Sequence, residues 1–156
     1  MEIPVMIGVG GAIFLGGAGG LMTPIGPWYH NLKKPRLQPP NWLFGPAWTI
    51  ILGLAAWSAI TAWYAADQDW ERGRVICLFS TNAVCHLLWS PLFFRAQRPD
   101  WALVEVVFLW ISLLLLVVLI APISSFASLL IMPYLLWVSF AAWLNWAIVR
   151  LNRPFA

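Results

Sequence analysis

The stretch WALVEVVFLWISLLLLVVLIA, Trp101–Ala121, carries one charged side chain, Glu105, in a run long enough to cross a bilayer. A strand of a membrane β-barrel would alternate lipid-facing and lumen-facing residues over about ten positions, and this run does not alternate. It reads as a transmembrane helix. Four further apolar stretches surround it, at about Val5–Met22, Pro46–Ala66, Val75–Phe94 and Phe126–Val149. With roughly 20 residues needed per crossing, five helices and their connections use up a chain of 156 residues. The expected fold is therefore an all-α integral membrane protein, a five-transmembrane-helix bundle forming a single domain over residues 1–156.

Composition agrees. Hydrophobic residues make up 62% of the chain and charged residues 10%, against about 45–50% and about 25% in ordinary soluble domains. The net charge of +3 is small and no basic run stands out, so nucleic-acid binding is excluded as a function class. Glu2 and the lack of a positive region before the first apolar stretch predict a retained helix instead of a cleaved leader. Cys77 and Cys85, eight positions apart on one helix, are separated by about 12 Å of axial rise and do not pair.

Orientation follows from the basic residues. Lys33, Lys34, Arg36, Arg95, Arg98, Arg150 and Arg153 fall on one side of the expected topology, and Arg72 and Arg74, diluted by Asp67, Asp69 and Glu71, on the other. The positive-inside rule then puts the N-terminus outside and the C-terminus in the cytoplasm, with a bacterial cell membrane as the expected location. The loop at 23–44 contains Pro24, Pro27, Pro35, Pro39 and Pro40, which disfavour regular helix and suggest a semi-rigid lid. Gly16 and Gly20, at four-residue spacing in the first span, suggest close helix packing. No internal repeat supports an inverted-repeat transporter.

Twelve tryptophans are many for a chain of this length. Trp28, Trp42, Trp70 and Trp101 fall at expected helix ends or in loops, where indoles anchor at the membrane interface. Trp48, Trp89 and Trp137 lie within or near the ends of spans, on faces that also carry polar or small residues. In the third span Asn82, His86, Trp89 and Phe93 share a helical face. Pro133, Trp137, Ala141 and Asn145 do so in the fifth, and Trp48 and Leu52 in the second. These faces fit either an aromatic-walled pocket with a few polar groups or helix packing with interhelical hydrogen bonds. Glu105 invites a functional reading as an intramembrane carboxylate, or neutralisation by a partner such as Asn145 or a loop arginine. His30, His86, Cys77 and Cys85 make no metal cluster, and no conventional catalytic constellation is visible.

A denser pattern lies in the first loop and beyond it: Trp28-Tyr29, Leu32, Lys34-Pro35, Pro39-Pro40, Trp42, Phe44, Pro46 and Trp48-Thr49. Together with Trp89-Ser90-Pro91-Leu92-Phe93-Phe94, Pro133-Tyr134-Leu135-Leu136-Trp137, Phe140-Ala141 and Leu144-Asn145, it resembles the TspO family of tryptophan-rich sensory proteins, whose mitochondrial relative is the translocator protein or peripheral benzodiazepine receptor. The resemblance covers nearly the whole chain. It implies a bundle that commonly dimerises and a pocket beneath the first loop. The pocket would take porphyrins such as protoporphyrin IX and synthetic isoquinoline-carboxamide or benzodiazepine ligands, with no required cofactor.

Carried over, the pocket residues are Tyr29, Trp48, Trp89, Trp137 and Ala141; the faces above add Leu52, Asn82, His86 and Phe93. Trp48 and Trp137 fall where the family's light-dependent porphyrin breakdown is placed, which keeps an enzymatic alternative open beside a receptor or sensor; a porphyrin or sterol transporter is a third reading. His86 replaces a usual Asn, Asn82 a usual Gln, Leu52 a usual Tyr and Leu37 a frequent aromatic. Trp146 between Leu144 and Arg150 replaces the tyrosine of the sterol motif, so strong cholesterol binding is not expected.

Overall fold

The computed structural model describes residues 2–155. Five of its helices are long and apolar enough to cross a membrane, and the described residues contain no strand. The helices are α1 (Ile3–Leu21), the short α2 (Pro27–Asn31), α3 (Asn41–Ala65), α4 (Asp69–Ser90), α5 (Pro99–Ile120) and α6 (Ser125–Asn152). A π-helical turn, Pro91–Arg95, extends α4.

Several boundaries differ from the sequence reading, each for a local reason. The first loop is not free of helix: Pro27 begins α2, because a proline at the first helical position gives up an N–H that has no intrahelical partner anyway. Asn41 starts α3 directly after Pro40, so Pro46 lies inside the helix and not at its start. Charged residues do not delay α4, since the Glu71 carboxylate accepts from the Asp67 and Gln68 backbone N–H groups at 2.9 and 3.1 Å and caps its first turn. Ser124 caps α6 by accepting from the Ala127 N–H at 3.2 Å.

The core is built on α5. Ala102, Val106, Leu109, Leu113, Leu116 and Ile120 recur every three or four positions and are all buried. They face Ala127, Ile131, Tyr134 and Val138 of α6. Lipid tails are as apolar as these side chains, so packing and interhelical hydrogen bonds hold the helices together. Ser58 Oγ donates to the Ala127 carbonyl at 2.6 Å, Ser128 Oγ to the Val117 carbonyl at 2.7 Å, and Trp110 Nε1 to Ser139 Oγ at 2.9 Å.

The first helix is different. It packs mainly on α3 and, less extensively, on α4, and buries no residue. Among its glycines the tightest position is Gly8, where a Cβ would come within 2.9 Å of the Ile60 side chain, and not the expected Gly16–Gly20 ridge. Gly16 makes ordinary contact with Leu52, and Gly20 meets open space.

The end that carries the first loop also gathers the π-helical turn and the C-terminus of α6. Tyr29 packs on Phe94 at 5.4 Å, and Lys33 and Asn152 exchange two hydrogen bonds of 2.8 Å. The π turn arises where Pro91 cannot donate into the helix; the Ala96 N–H closes back onto the Pro91 carbonyl at 2.8 Å. It leaves Phe93 buried against Trp28 and Trp89.

Candidate functional site: an aromatic cavity beneath the first loop

Between the glycine-bearing face of α1 and helices α3 to α6 lies a cavity of about 480 Å³, within the range of small-molecule sites. The first loop roofs it. Tyr29, on α2, is held there by two hydrogen bonds: Gln38 Nε2 donates to its hydroxyl at 2.8 Å, and the hydroxyl donates to Asn41 Oδ1 at 3.2 Å. Burial pushes the Tyr29 phenol above its ordinary pKa, an effect partly opposed by the Gln38 bond. Lys34 Nζ sits 4.1 Å from the centre of the Tyr29 ring, which brings a positive charge to the edge of the roof. Thr23 joins α1 to α4: its Oγ1 donates to the Gly19 carbonyl at 2.7 Å and lies 3.4 Å from the Ser90 hydroxyl, which can donate to it.

Trp48 of α3 organises the walls. Its ring meets His86 of α4 at 4.9 Å, Tyr134 of α6 at 5.7 Å and Trp137 of α6 at 6.3 Å, each edge to face. Trp89 stacks on Phe93 at 5.0 Å, one turn from His86. Phe44 closes on Trp137 at 5.8 Å. The α1 side offers Gly16, Gly19 and Gly20, which present no side chains to the cavity.

Three of the atoms around this space are polar, buried and without a hydrogen-bond partner among the described residues: Nε1 of Trp89, Nε1 of Trp137 and Oε1 of Gln38. Buried N–H groups are seldom left unpaired in native structures. Two indole donors and one amide acceptor are therefore left unsatisfied in the residues that line the cavity.

Of the residues singled out from sequence, Tyr29, Trp48, Leu52, His86, Trp89, Phe93, Trp137 and Ala141 all line the cavity. Asn82 does not. It is buried behind the wall, where its Nδ2 donates to Ser112 Oγ at 2.9 Å and ties α4 to α5. Pro133 points elsewhere, into a shallow apolar groove between α3 and α6 lined by Ile50, Leu136 and Phe140; Trp137 borders both the groove and the cavity. The tryptophans expected as interface anchors also divide. Trp42, Trp70 and Trp101 are exposed, whereas Trp28 packs edge-on against Phe93.

Glu105 is buried with both carboxylate oxygens unpartnered among the described residues. The partner suggested from sequence, Asn145, is engaged with the backbone of α5: with its amide oriented by its neighbours, it donates to the Pro99 carbonyl and accepts from the Leu103 N–H, both at 3.0 Å. Sequence reasoning missed Gln38, Asn41, Tyr134 and the glycines at 16, 19 and 20. The glycines had a readable signal, since spacings of three and four put them on one face of α1. No group of three or more metal-ligating side chains occurs among the described residues.

Comparison with known proteins follows the same outline. The TspO/MBR family model matches residues 6–151. The tryptophan-rich protein TspO of Archaeoglobus fulgidus is 42% identical over 88% of this chain and 90% of its own length. The tryptophan-rich sensory protein of Cereibacter sphaeroides is 32% identical over 88% and 85%, and the human translocator protein 29% identical over 81% and 75%.

Proposed function

Because the chain belongs to the TspO/MBR family, we propose that it is a membrane receptor or sensor that binds a porphyrin, with protoporphyrin IX as the reference ligand, in the cavity beneath the first loop. The observation that carries the reading is the conjunction of a cavity walled by Trp48, Trp89 and Trp137 with buried indole donors that no described residue satisfies. A flat aromatic macrocycle with carboxylate arms offers π-faces to the walls and acceptors to Trp89 and Trp137. Lys34 at the roof, with Lys33 and Arg36 in the same loop, complements the negative charge. Isoquinoline-carboxamide and benzodiazepine compounds, flat and acceptor-bearing, fit the same description. The loop and C-terminus sit together at the basic end, which supports a cytoplasmic placement for both.

Saturable quenching of tryptophan fluorescence by protoporphyrin IX tests this, with the Trp48→Ala/Trp137→Ala double variant expected to bind at least about tenfold more weakly. An unchanged affinity in that variant removes the assigned pocket. The contact between Trp48 and Trp137 at 6.3 Å also supports a second reading, in which the indoles take part in light- and oxygen-dependent porphyrin breakdown. A discrete open-chain product under illumination, absent with free porphyrin, marks that activity; nonspecific bleaching rejects it.

A further inference from the structure

Outside the cavity, the end of the bundle that carries the first loop is crowded with positive charge. Lys33, Lys34, Arg36, Arg95, Arg150 and Arg153 make no ion pair among the described residues. Apart from the buried Glu105, the carboxylate described at this end is Asp100, and Arg98 donates to both of its oxygens, at 2.9 and 2.7 Å. The remaining acidic residues, Glu2, Asp67, Asp69 and Glu71, lie at the opposite end. The fold concentrates the cations further. Because the hydrogen bonds between Lys33 and Asn152 run through the Lys33 backbone, they set this lysine beside the last turn of α6, where Arg150 and Arg153 flank Asn152. Like charges gathered in this way repel one another unless an anion lies among them.

The placement of Arg150 says where that anion comes from. Leu129, Leu136, Trp143 and Trp146 recur along one face of α6 and are all exposed, as befits the side of a spanning helix that meets lipid tails. Arg150 continues this stripe one turn beyond Trp146, and its guanidinium lies over the Trp146 ring at 5.0 Å from the centre. Stacked there, the charge is held at the depth where indoles meet the membrane interface, beside the lipids. Arg98 stands in the same way 4.8 Å over the exposed Trp101 at the start of α5, but Asp100 already neutralises it. We propose that Arg150, Arg153 and Lys33 form a docking site for the headgroup of an anionic phospholipid of the phosphatidylglycerol class, whose acyl chains lie along the exposed face of α6. The guanidinium fork matches a pair of phosphate oxygens, and the neighbouring cations add attraction that an anionic headgroup retains. A phosphatidylcholine headgroup brings its own ammonium into the cluster and loses that net attraction.

The test titrates the full chain in detergent micelles with phosphatidylglycerol or phosphatidylcholine of the same acyl chains and counts bound lipids by native mass spectrometry. A basic residue close to an anionic headgroup is worth about a fivefold gain in affinity, so the first phosphatidylglycerol is expected to bind the wild type at least about fivefold more tightly than the first phosphatidylcholine. Raising the ammonium acetate concentration narrows that ratio. In Arg150→Gln/Arg153→Gln the ratio falls at least about threefold. Lys33→Gln lowers it too while leaving the clasp to Asn152 in place, since the clasp uses only the Lys33 backbone. Arg72→Gln/Arg74→Gln removes the same charge from the opposite end and leaves the ratio unchanged. A wild type that binds the two lipids equally overturns the site. So does an equal loss in the two double variants, which would assign the preference to net charge and not to the end of α6.

Discussion

Asn152 and Lys33, 119 positions apart in the chain, exchange a pair of hydrogen bonds: the Lys33 N–H donates to Asn152 Oδ1 and Asn152 Nδ2 donates to the Lys33 carbonyl, both at 2.8 Å. One side chain on the last turn of α6 thereby satisfies the backbone of a loop residue as a neighbouring strand would. This clasp fixes the roof of the cavity to the end of the bundle.

Asn152→Ala should therefore loosen the roof without unfolding the helices. Hydrogen exchange at the Lys33 amide is expected to quicken roughly tenfold, with the thermal midpoint nearly unchanged and the ligand leaving faster. An amide that exchanges at the wild-type rate would show that the clasp does not hold the loop in solution.

The unpartnered indoles give a prediction that differs between the empty and the occupied protein. Trp137→Phe and Trp89→Phe each remove a buried N–H that has no partner, so the empty protein should lose little stability beyond the smaller ring. Porphyrin affinity should drop about tenfold per substitution, equivalent to about 1.4 kcal/mol, if those donors meet the ligand. Calorimetry on the empty and loaded forms separates the two effects.

Glu105→Leu should raise the thermal midpoint. A carboxyl group buried without a partner costs about 1–3 kcal/mol, and leucine of similar volume avoids that cost among Val106, Leu109 and the surrounding apolar residues. A lower midpoint in Glu105→Leu would mean that the carboxyl is satisfied in the membrane and has a task there.

Ser58→Ala removes the buried hydrogen bond from α3 to the Ala127 carbonyl at the start of α6. Interhelical bonds of this kind in membranes are worth about 0.6 kcal/mol on average and up to about 1.7. A modest fall in the unfolding midpoint is expected, with ligand binding unaffected because Ser58 is remote from the cavity lining. A change in porphyrin affinity would refute that independence.

The five crossings were legible in the sequence because the bilayer imposes a length and a polarity that few soluble segments satisfy. Their ends were not, because caps decide them: Glu71 folds back on Asp67 and Gln68, and Pro27 starts a helix where prolines in number suggested none. Most of the cavity was legible from shared helix faces and from the family resemblance. Asn82 was assigned to the wall because it shares a face with His86, but one helical face can serve two neighbours, and Ser112 on α5 takes this one. Tyr134 reads in the sequence only as part of a motif, though its hydroxyl lies 2.9 Å from His86 Nδ1. The unpartnered indoles had no sequence signal, since whether an N–H finds an acceptor depends on all the helices at once.

Helix α1 buries none of its side chains, yet its backbone forms one side of the cavity. The labour of the fold is thus split between two parts of the chain. The other four spans hold the buried core of the bundle, and α1, packed on α3 without a buried residue of its own, contributes capacity, the width of the slot. Substitutions along the glycine face are therefore expected to retune which guests the protein admits while the rest of the bundle remains intact.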